Sequence, residues 1–219
     1  MSPRSDADPA AGPARTAAEI HAHLRQHVDH ALRRPGMYGG EVALVPLFHL
    51  LAFAEGIDGD WEREREAWRR RDVLLPTGVS GAFGYVLPDG ARDHCAVASV
   101  YAEFAHRVGW LPLDRRLARD EHDDLVSSVP TWVTEDRTSA DVAARFGPPS
   151  ALLGGSHPSF PETLLYASDA DVPPTAFHLW NSPVDTPFPQ PVLLAARIGG
   201  VLFDRALHFT PEGRARRPR

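Results

Sequence analysis

The segment Arg33-Arg34-Pro35-Gly36-Met37-Tyr38-Gly39-Gly40-Glu41 separates two helical patterns and decides how the chain turns from one to the other. Pro35 cannot continue the helix before it, since a proline lacks the amide hydrogen that a helix interior needs. The three glycines permit backbone angles that other residues avoid. Met37 and Tyr38 add two large apolar side chains to the turn. The sequence therefore predicts an ordered loop in which Met37 and Tyr38 are buried and pack the first helix against the second.

Helical patterns lie on both sides of this loop. Apolar residues recur every three or four positions between residues 17 and 33, after a capping-box sequence, which predicts a helix over that range. Residues 45–54 are apolar on nearly all sides and precede Gly56, which predicts a core helix that ends at the glycine. Residues 60–71 are highly charged and carry two tryptophans seven positions apart, which predicts a surface helix with an aromatic seam.

Three weaker or shorter patterns complete the N-terminal part. Residues 93–109 carry apolar side chains at three- and four-residue steps, which predicts an amphipathic helix. Leucines between residues 113 and 125 indicate a further helix. Residues 76–93 contain several glycines and prolines around Phe83–Leu87 and are predicted to form a loop with a short strand.

The pattern changes after Pro130 from helical to strand-like. Residues 139–146 are predicted to form a short helix, closed by a glycine and two prolines. Three strand-like stretches follow, at residues 163–167, 175–180 and 191–197. Gly199-Gly200 then gives a hairpin signal that leads into a fourth predicted strand over residues 201–209.

This order of elements predicts an α+β protein, in which an N-terminal helical part packs with a small C-terminal antiparallel sheet. The helical part is predicted over residues 16–126 and the helix plus sheet over residues 131–213, with the boundary between Val126 and Arg137. Residues 1–15 lack periodicity and are predicted to be disordered. Residues 214–219 carry four arginines and form a basic tail.

Composition excludes several classes of chemistry. All 23 basic residues are arginine, which excludes pyridoxal enzymes and Walker-type NTPases because both need a lysine. The formal net charge of -6 argues against general nucleic-acid binding, whose affinity comes largely from positive charge. One cysteine permits no intrachain disulfide, and no apolar run is long enough for a signal peptide or a membrane span. We therefore expect a cytoplasmic protein with no membrane segment and no cofactor.

Residues 33–40 resemble the Arg-Pro-Gly-Met-Tyr segment near the start of the ATPase domain of type II topoisomerase B subunits and their GHKL relatives. Those ATPases need an acidic residue and an asparagine on one helix, followed by glycine-rich lid motifs. The corresponding segment here, Phe48–Glu55, has no asparagine. The resemblance therefore does not extend to ATP binding.

The chain from His30 onward is similar to a family of actinobacterial proteins of unknown activity. The likeness rests on the RRPGMYGGE-type loop at residues 33–41, on Asp141–Ser150, on Phe177–Trp180 and on the FTPEG-type ending at Phe209–Gly213. It implies a shared fold but no particular activity. The loop and the apolar helix after it also resemble a segment of small bacterial immunity-type proteins.

Histidine spacing on the first helix is the feature most like an enzyme. His23, His27 and His30 stand at i, i+4 and i+7, and two histidines one turn apart can bind zinc. The glutamate of a His-Glu-x-x-His motif is missing, and a catalytic site needs a further ligand and a base. His178 is one residue that the fold could bring to them. The alternative to metal binding is that the three histidines only form a polar flank of the helix.

Cys95 follows His94 at the start of a predicted helix, where a thiol pKa is often lowered. Neighbouring residues on a helix project about 100 degrees apart, so His94 cannot act as the base for this thiol. A buried, unreactive cysteine is the preferred interpretation.

Two functions remain. The first is a non-catalytic protein-interaction protein of immunity or regulatory type, whose partner is another protein. Its candidate partner-binding residues are Arg33, Arg34, Tyr38, Glu41, Trp61 and Trp68. If Tyr38 lies on the surface instead of between the helices, the loop at residues 33–38 is the first place to look for a partner. The second is a small metal-dependent or histidine-using hydrolase, with His23, His27 and His30 as its candidate ligands.

Overall fold

A computed structural model describes residues 15–88, 93–155, 157–182 and 188–218. The fold is α+β, as predicted. The helices in the described ranges are α1 Ala17–Arg33, α2 Pro35–Tyr38, α3 Glu41–Glu55, α4 Asp58–Arg70, α5 Val79–Gly84, α6 His94–Arg107, α7 Arg119–Trp132, α8 Ser139–Phe146, α9 Phe203–Ala206 and α10 Pro211–Ala215. The strands are β1 Ala151–Gly154, β2 Glu162–Tyr166, β3 Thr175–Trp180, β4 Val192–Ile198 and β5 Leu207–Phe209. The segment predicted to be disordered lies outside the described residues except for Arg15.

The main helices follow their sequence signals. Thr16 and Glu19 form a reciprocal capping box at the start of α1. α3 ends at Gly56, which has the left-handed backbone angle φ of 68° that a glycine adopts without strain. α3 begins at Glu41, four residues before the predicted start, and it contains Pro46 in its second turn. The predictions for α1, α4, α6 and α8 are confirmed to within a few residues.

Two short segments differ from their predictions. Residues 79–84 form helix α5 instead of a loop with a strand, because Val79, Ala82 and Phe83 are buried at helical spacing. The hairpin after Gly199-Gly200 is interrupted by α9, so that β5 begins only at Leu207. Phe203 and Ala206 are three residues apart and both are buried, and a helical turn places both side chains on the same side.

The five strands form one antiparallel sheet in the order β1-β2-β3-β4-β5. The alternation of β3 is confirmed, since Phe177 and Leu179 belong to one apolar cluster and Trp180 belongs to the other. Helices α1 and α3–α6 contribute to the first cluster and cover the face that carries Trp180. Helices α7 and α8 cover the opposite face. Both faces of the sheet are therefore buried.

The predicted boundary between Val126 and Arg137 falls inside α7 and in the short segment after it. This helix runs unbroken through residue 126, and its Leu125 and Val129 pack in the same cluster as strand residues. The sheet is tied to the helical layer by a buried ion pair between Arg197 of β4 and Glu103 of α6. None of the helices in the described ranges is long and apolar enough to span a membrane.

Candidate functional site

The loop at residues 33–41 is ordered, but its apolar side chains point outward. Met37 is 83% exposed and Tyr38 is 36% exposed, so the prediction that they form a buried plug between the helices is wrong. The physical reason is that α1 and α3 already fill their contact with other residues, among them Ala31, Leu32 and Leu44. Pro35 takes the buried position of α2, which leaves Met37 at the surface.

Arg33, a candidate for partner binding, is engaged within the chain. Its guanidinium donates to Asp29 at 3.0 Å, to Asp114 at 2.8 Å and to the carbonyl oxygen of Pro112 at 2.6 Å. These bonds hold the end of α1 against the segment after α6. Arg34 is exposed, and it donates from Nη1 to the carbonyl oxygen of Gly154 at 3.0 Å.

Glu41, another candidate, is also used to hold the fold together. Its carboxylate accepts from the amides of Val79 at 2.7 Å and Ser80 at 2.9 Å, and from the hydroxyl of Tyr101 at 2.8 Å. Burial raises the pKa of Tyr101, and the adjacent Glu41 carboxylate raises that pKa further. This tyrosine therefore stays protonated and donates to Glu41 at neutral pH.

Trp61 and Trp68 are both 1% exposed, so the expectation that they present surface to a partner is wrong. The two rings meet edge to face with centroids 5.3 Å apart. Phe48 lies 5.2 Å from Trp61, and Tyr101 lies 5.2 Å from Trp68. The aromatic seam of α4 is therefore the side that packs into the core, and the charged side of α4 faces solvent.

The histidines of α1 do not form a metal site in the structure. The rings of His23 and His27 lie 4.1 Å apart, and His30 Nδ1 is 3.5 Å from the hydroxyl of Tyr38. Within the described residues no group of three or more His, Cys, Asp or Glu side chains is arranged to hold a metal ion. His178 is enclosed in the core beside Phe83 and Thr163 and does not join the exposed histidines.

A cleft of about 410 Å³ opens beside α2. Its walls come from four separate parts of the chain and comprise Arg34, Gly36, Met37, Asp93, His94, Cys95, Gly154, Gly155, Phe160 and Pro161. The sequence pointed to Arg34 and the glycines of the loop but could not bring the four segments together. This cleft is the concave site that the loop at residues 33–41 helps to form.

His94 reaches the cleft because Gly40 has no side chain. Gly40 has a φ of 64°, and a methyl group on it would collide with Nδ1 of His94. Gly36 faces the same ring from a greater distance, since a methyl group there would lie 3.9 Å from Cδ2 of His94. Two of the loop glycines therefore border the imidazole, but only Gly40 is required for its position.

The carboxyl group of Asp93 and the thiol of Cys95, at the start of α6, are both buried. Asp93 accepts from the amides of Cys95 at 3.1 Å and Ala96 at 3.0 Å, and burial raises the pKa of Asp93 to about 6. Burial also raises the pKa of the Cys95 thiol, whose sulfur lies 3.5 Å from the carbonyl oxygen of Pro161. Cys95 is thus a buried thiol, as the sequence predicted.

A second cavity, of about 780 Å³, lies between α3, α4 and the segment before α5. It is larger than the cleft, but both of its arginines are already paired with carboxylates, and its other charged groups are the carboxylates of Glu41 and Asp72. Arg65 and Arg69 bind Glu62 and Glu66 on α4 at 2.9 Å and 3.0 Å, and the carboxylate of Glu41 is occupied as described above. We therefore place the candidate ligand site in the smaller cleft.

The outward side of α3 carries an apolar stripe formed by Val42, Pro46, Leu50 and Phe53. These residues are three or four positions apart, so they share one side of the helix. Val42 is 85%, Leu50 54% and Phe53 78% exposed. The opposite side of α3 is buried, so the prediction that this helix lies wholly in the core holds for only half of its circumference.

No protein-family model, curated protein or solved structure matches the chain. The resemblances to the actinobacterial family, to the GHKL segment and to immunity-type proteins remain predictions.

Proposed function

We propose that this chain is a non-catalytic protein-interaction protein that binds another protein through the apolar stripe of α3. The observation that carries the proposal is the exposure of Val42 and Phe53 at 85% and 78% on a helix that is otherwise a core helix. The proposal extends to a cytoplasmic regulatory or immunity-type role.

The size of the stripe supports this interpretation. Val42, Leu50 and Phe53 together expose apolar surface on the order of 300–400 Å², which is comparable to the largest patch on a typical soluble monomer. Such patches commonly mark protein-binding surfaces. A helix that is apolar all round is normally covered on every side, and α3 is covered on one side by the described residues.

The surroundings of the stripe fit a protein partner. Tyr38 and Arg34 are exposed beyond the N-terminal end of α3, and both residue types are frequent at the energetic centres of interfaces. Charged side chains of α4, among them Glu62 and Arg65, lie next to α3, since His49 of α3 approaches Glu62 at 3.8 Å. An apolar centre beside charged groups is the usual arrangement of an interface.

A site-specific photocrosslinker placed at Phe53 tests the proposal in cells that express the chain natively. We expect one defined protein to crosslink from position 53 and not from Tyr85, an exposed aromatic residue outside the stripe. The variant Leu50→Asp should reduce capture from position 53 at least tenfold, with an unfolding midpoint close to that of the wild type because Leu50 is exposed. Equal crosslinking from positions 53 and 85, or capture unaffected by Leu50→Asp, contradicts the proposal.

A further inference from the structure

We infer that the cleft beside α2 binds a small monocarboxylate with an apolar body, held by Arg34 and His94. Its volume of about 410 Å³ lies within the range of small-molecule sites, which is roughly 300–1,000 Å³. The inference does not rest on the proposed protein-binding role of the α3 stripe.

Arg34 supplies a cation that one hydrogen bond anchors to the wall of the cleft. Its Nη1 donates to the carbonyl oxygen of Gly154 at 3.0 Å, and this bond holds the guanidinium along the wall of the cleft. Nε and Nη2 have no hydrogen-bond partner among the residues that the structure describes. A guanidinium with donors free on adjacent nitrogens matches the two oxygens of a carboxylate. Arg33, by contrast, uses its donors within the chain.

His94 adds a second polar group to the cleft. The ring is half-buried and makes no hydrogen bond or ion pair with any described residue. A half-buried imidazole without a protein partner is a group that a ligand can satisfy. The absence of a side chain at Gly40 is what permits the ring to lie there.

Apart from Asp93, the remaining walls are apolar or uncharged. Met37 and Phe160 are exposed at the cleft, and Pro161 lies beside them. The Cys95 thiol is protonated, because burial raises its pKa. Asp93 is ionised at pH 7.5, since its pKa is about 6, but its carboxylate is buried and its Oδ1 already accepts from the Cys95 and Ala96 amides. An apolar ligand body therefore contacts these walls while its charged end meets Arg34.

The number of donors favours a monocarboxylate over a phosphate. A phosphate carries more charge and is usually bound by several backbone amides or cations. In this cleft the cation is a single arginine, and the first amides of α6 already bond to Asp93. One arginine and one imidazole suit a single carboxylate.

The test compares three ligands of one shape, 4-phenylbutyrate, 4-phenylbutanol and 4-phenylbutylamine, by titration calorimetry at pH 7.5 with the whole chain. We expect the acid to bind at least tenfold more tightly than the alcohol or the amine. Arg34→Met should weaken binding of the acid ten- to a hundredfold, since it removes a charge-assisted hydrogen bond. Arg63→Met, on an exposed part of α4, is the matched control and should change nothing.

A second variant keeps the test valid if Arg34→Met fails to fold. A methyl group on Gly36 would meet the His94 ring at the ordinary contact distance of 3.9 Å and collide with nothing, so Gly36→Leu should fill the cleft and abolish binding while the unfolding midpoint remains near that of the wild type. The inference is overturned if acid, alcohol and amine bind equally, if the amine binds best, or if inorganic phosphate binds more tightly than the acid. Undetectable binding of 4-phenylbutyrate at millimolar concentration, or binding unaffected by Gly36→Leu, also overturns it.

Discussion

Asp93 caps α6 from a buried position, and burial disfavours the ionised form of its carboxyl group. A capping carboxylate stabilises the first amides of a helix, yet burial disfavours the ionised form, and the second effect is the larger one. The pKa of Asp93 is about 6 in the folded chain against the ordinary aspartate value of 3.8. Between these values the folded state binds more protons than the unfolded state. The free energy of unfolding therefore falls as pH rises from about 4 to about 6.

Asp93→Asn should remove this pH dependence, because asparagine caps a helix about as well as aspartate and does not titrate. We expect the variant to gain stability relative to the wild type by on the order of 2 kcal/mol as pH rises from 4 to 6. Urea unfolding at four pH values across this window measures the difference. Asp141→Asn is the control that should stay nearly flat in this window, since two bonds from Thr138 lower the pKa of Asp141 and its stability contribution changes only below about pH 4. A difference between wild type and Asp93→Asn that stays constant with pH contradicts the prediction.

Single residues also show what sequence patterns leave open. The seven-residue spacing of Trp61 and Trp68 correctly placed both on one side of α4 but could not say which side is covered. The covered side was hard to recognise because it also holds Glu64, which is buried with Arg71 and Arg107 as its ion partners. The two tryptophans were expected at the surface and are buried, whereas Met37 was expected to be buried because it is apolar and is exposed by the geometry of the loop.

At the scale of elements, the junction from α2 to α3 depends on two glycines with different constraints. Gly39 and Gly40 both have positive φ, at 88° and 64°. A methyl group on Gly39 would meet no atom within 4 Å, whereas one on Gly40 would collide with His94. Gly36 has neither constraint. Gly39 therefore carries left-handed backbone strain alone, whereas Gly40, with φ of 64° and ψ of -137°, combines a conformation that is more restricted to glycine with the collision.

We predict that alanine substitution will destabilise the chain least at Gly36 and most at Gly40. Gly36→Ala should lie within about 0.5 kcal/mol of the wild type, and Gly39→Ala should cost roughly 1–2 kcal/mol from its backbone angle alone. Gly40→Ala should cost about 1 kcal/mol or more beyond Gly39→Ala, because His94 must also move. Thermal and urea unfolding of the three variants tests this order. Equal losses for Gly39→Ala and Gly40→Ala would show that His94 is not confined by the glycine.

Elements with a clear periodic pattern or flanking turn signals were predictable, and the shortest ones were not. α1 and β3 have clear periods, and each was predicted within one residue of its observed bounds. β1 has four residues and α9 has four, so neither contains enough positions to establish a period. The cleft could not be predicted because its walls come from four segments, and their meeting depends on the packing of the whole chain.

At the scale of the whole molecule, the ion pair between Arg197 and Glu103 joins the layer of helices to the sheet. Arg197 lies in β4 next to the strand that carries His178, and it also donates to Ser99 of α6 at 3.1 Å. Both charged side chains are largely buried. Burial of two charges is costly, and their attraction offsets that cost only while both are present. The pair therefore requires α6 and the sheet to keep one relative position.

Removal of one partner should accordingly cost far more than removal of both. We expect Glu103→Gln to destabilise the chain by about 3–5 kcal/mol, because it leaves the Arg197 cation buried without its counter-charge. The double variant Arg197→Met with Glu103→Leu should recover most of that loss, since a well-packed apolar pair carries no desolvation penalty. Arg63→Met breaks an exposed ion pair with Asp60 and should cost less than about 1 kcal/mol. Urea unfolding measures all three, and the single variants Arg197→Met and Glu103→Leu complete a double-mutant cycle with the double variant. Losses of these two singles that add up to the loss of the double would show that the two charges do not act as a pair.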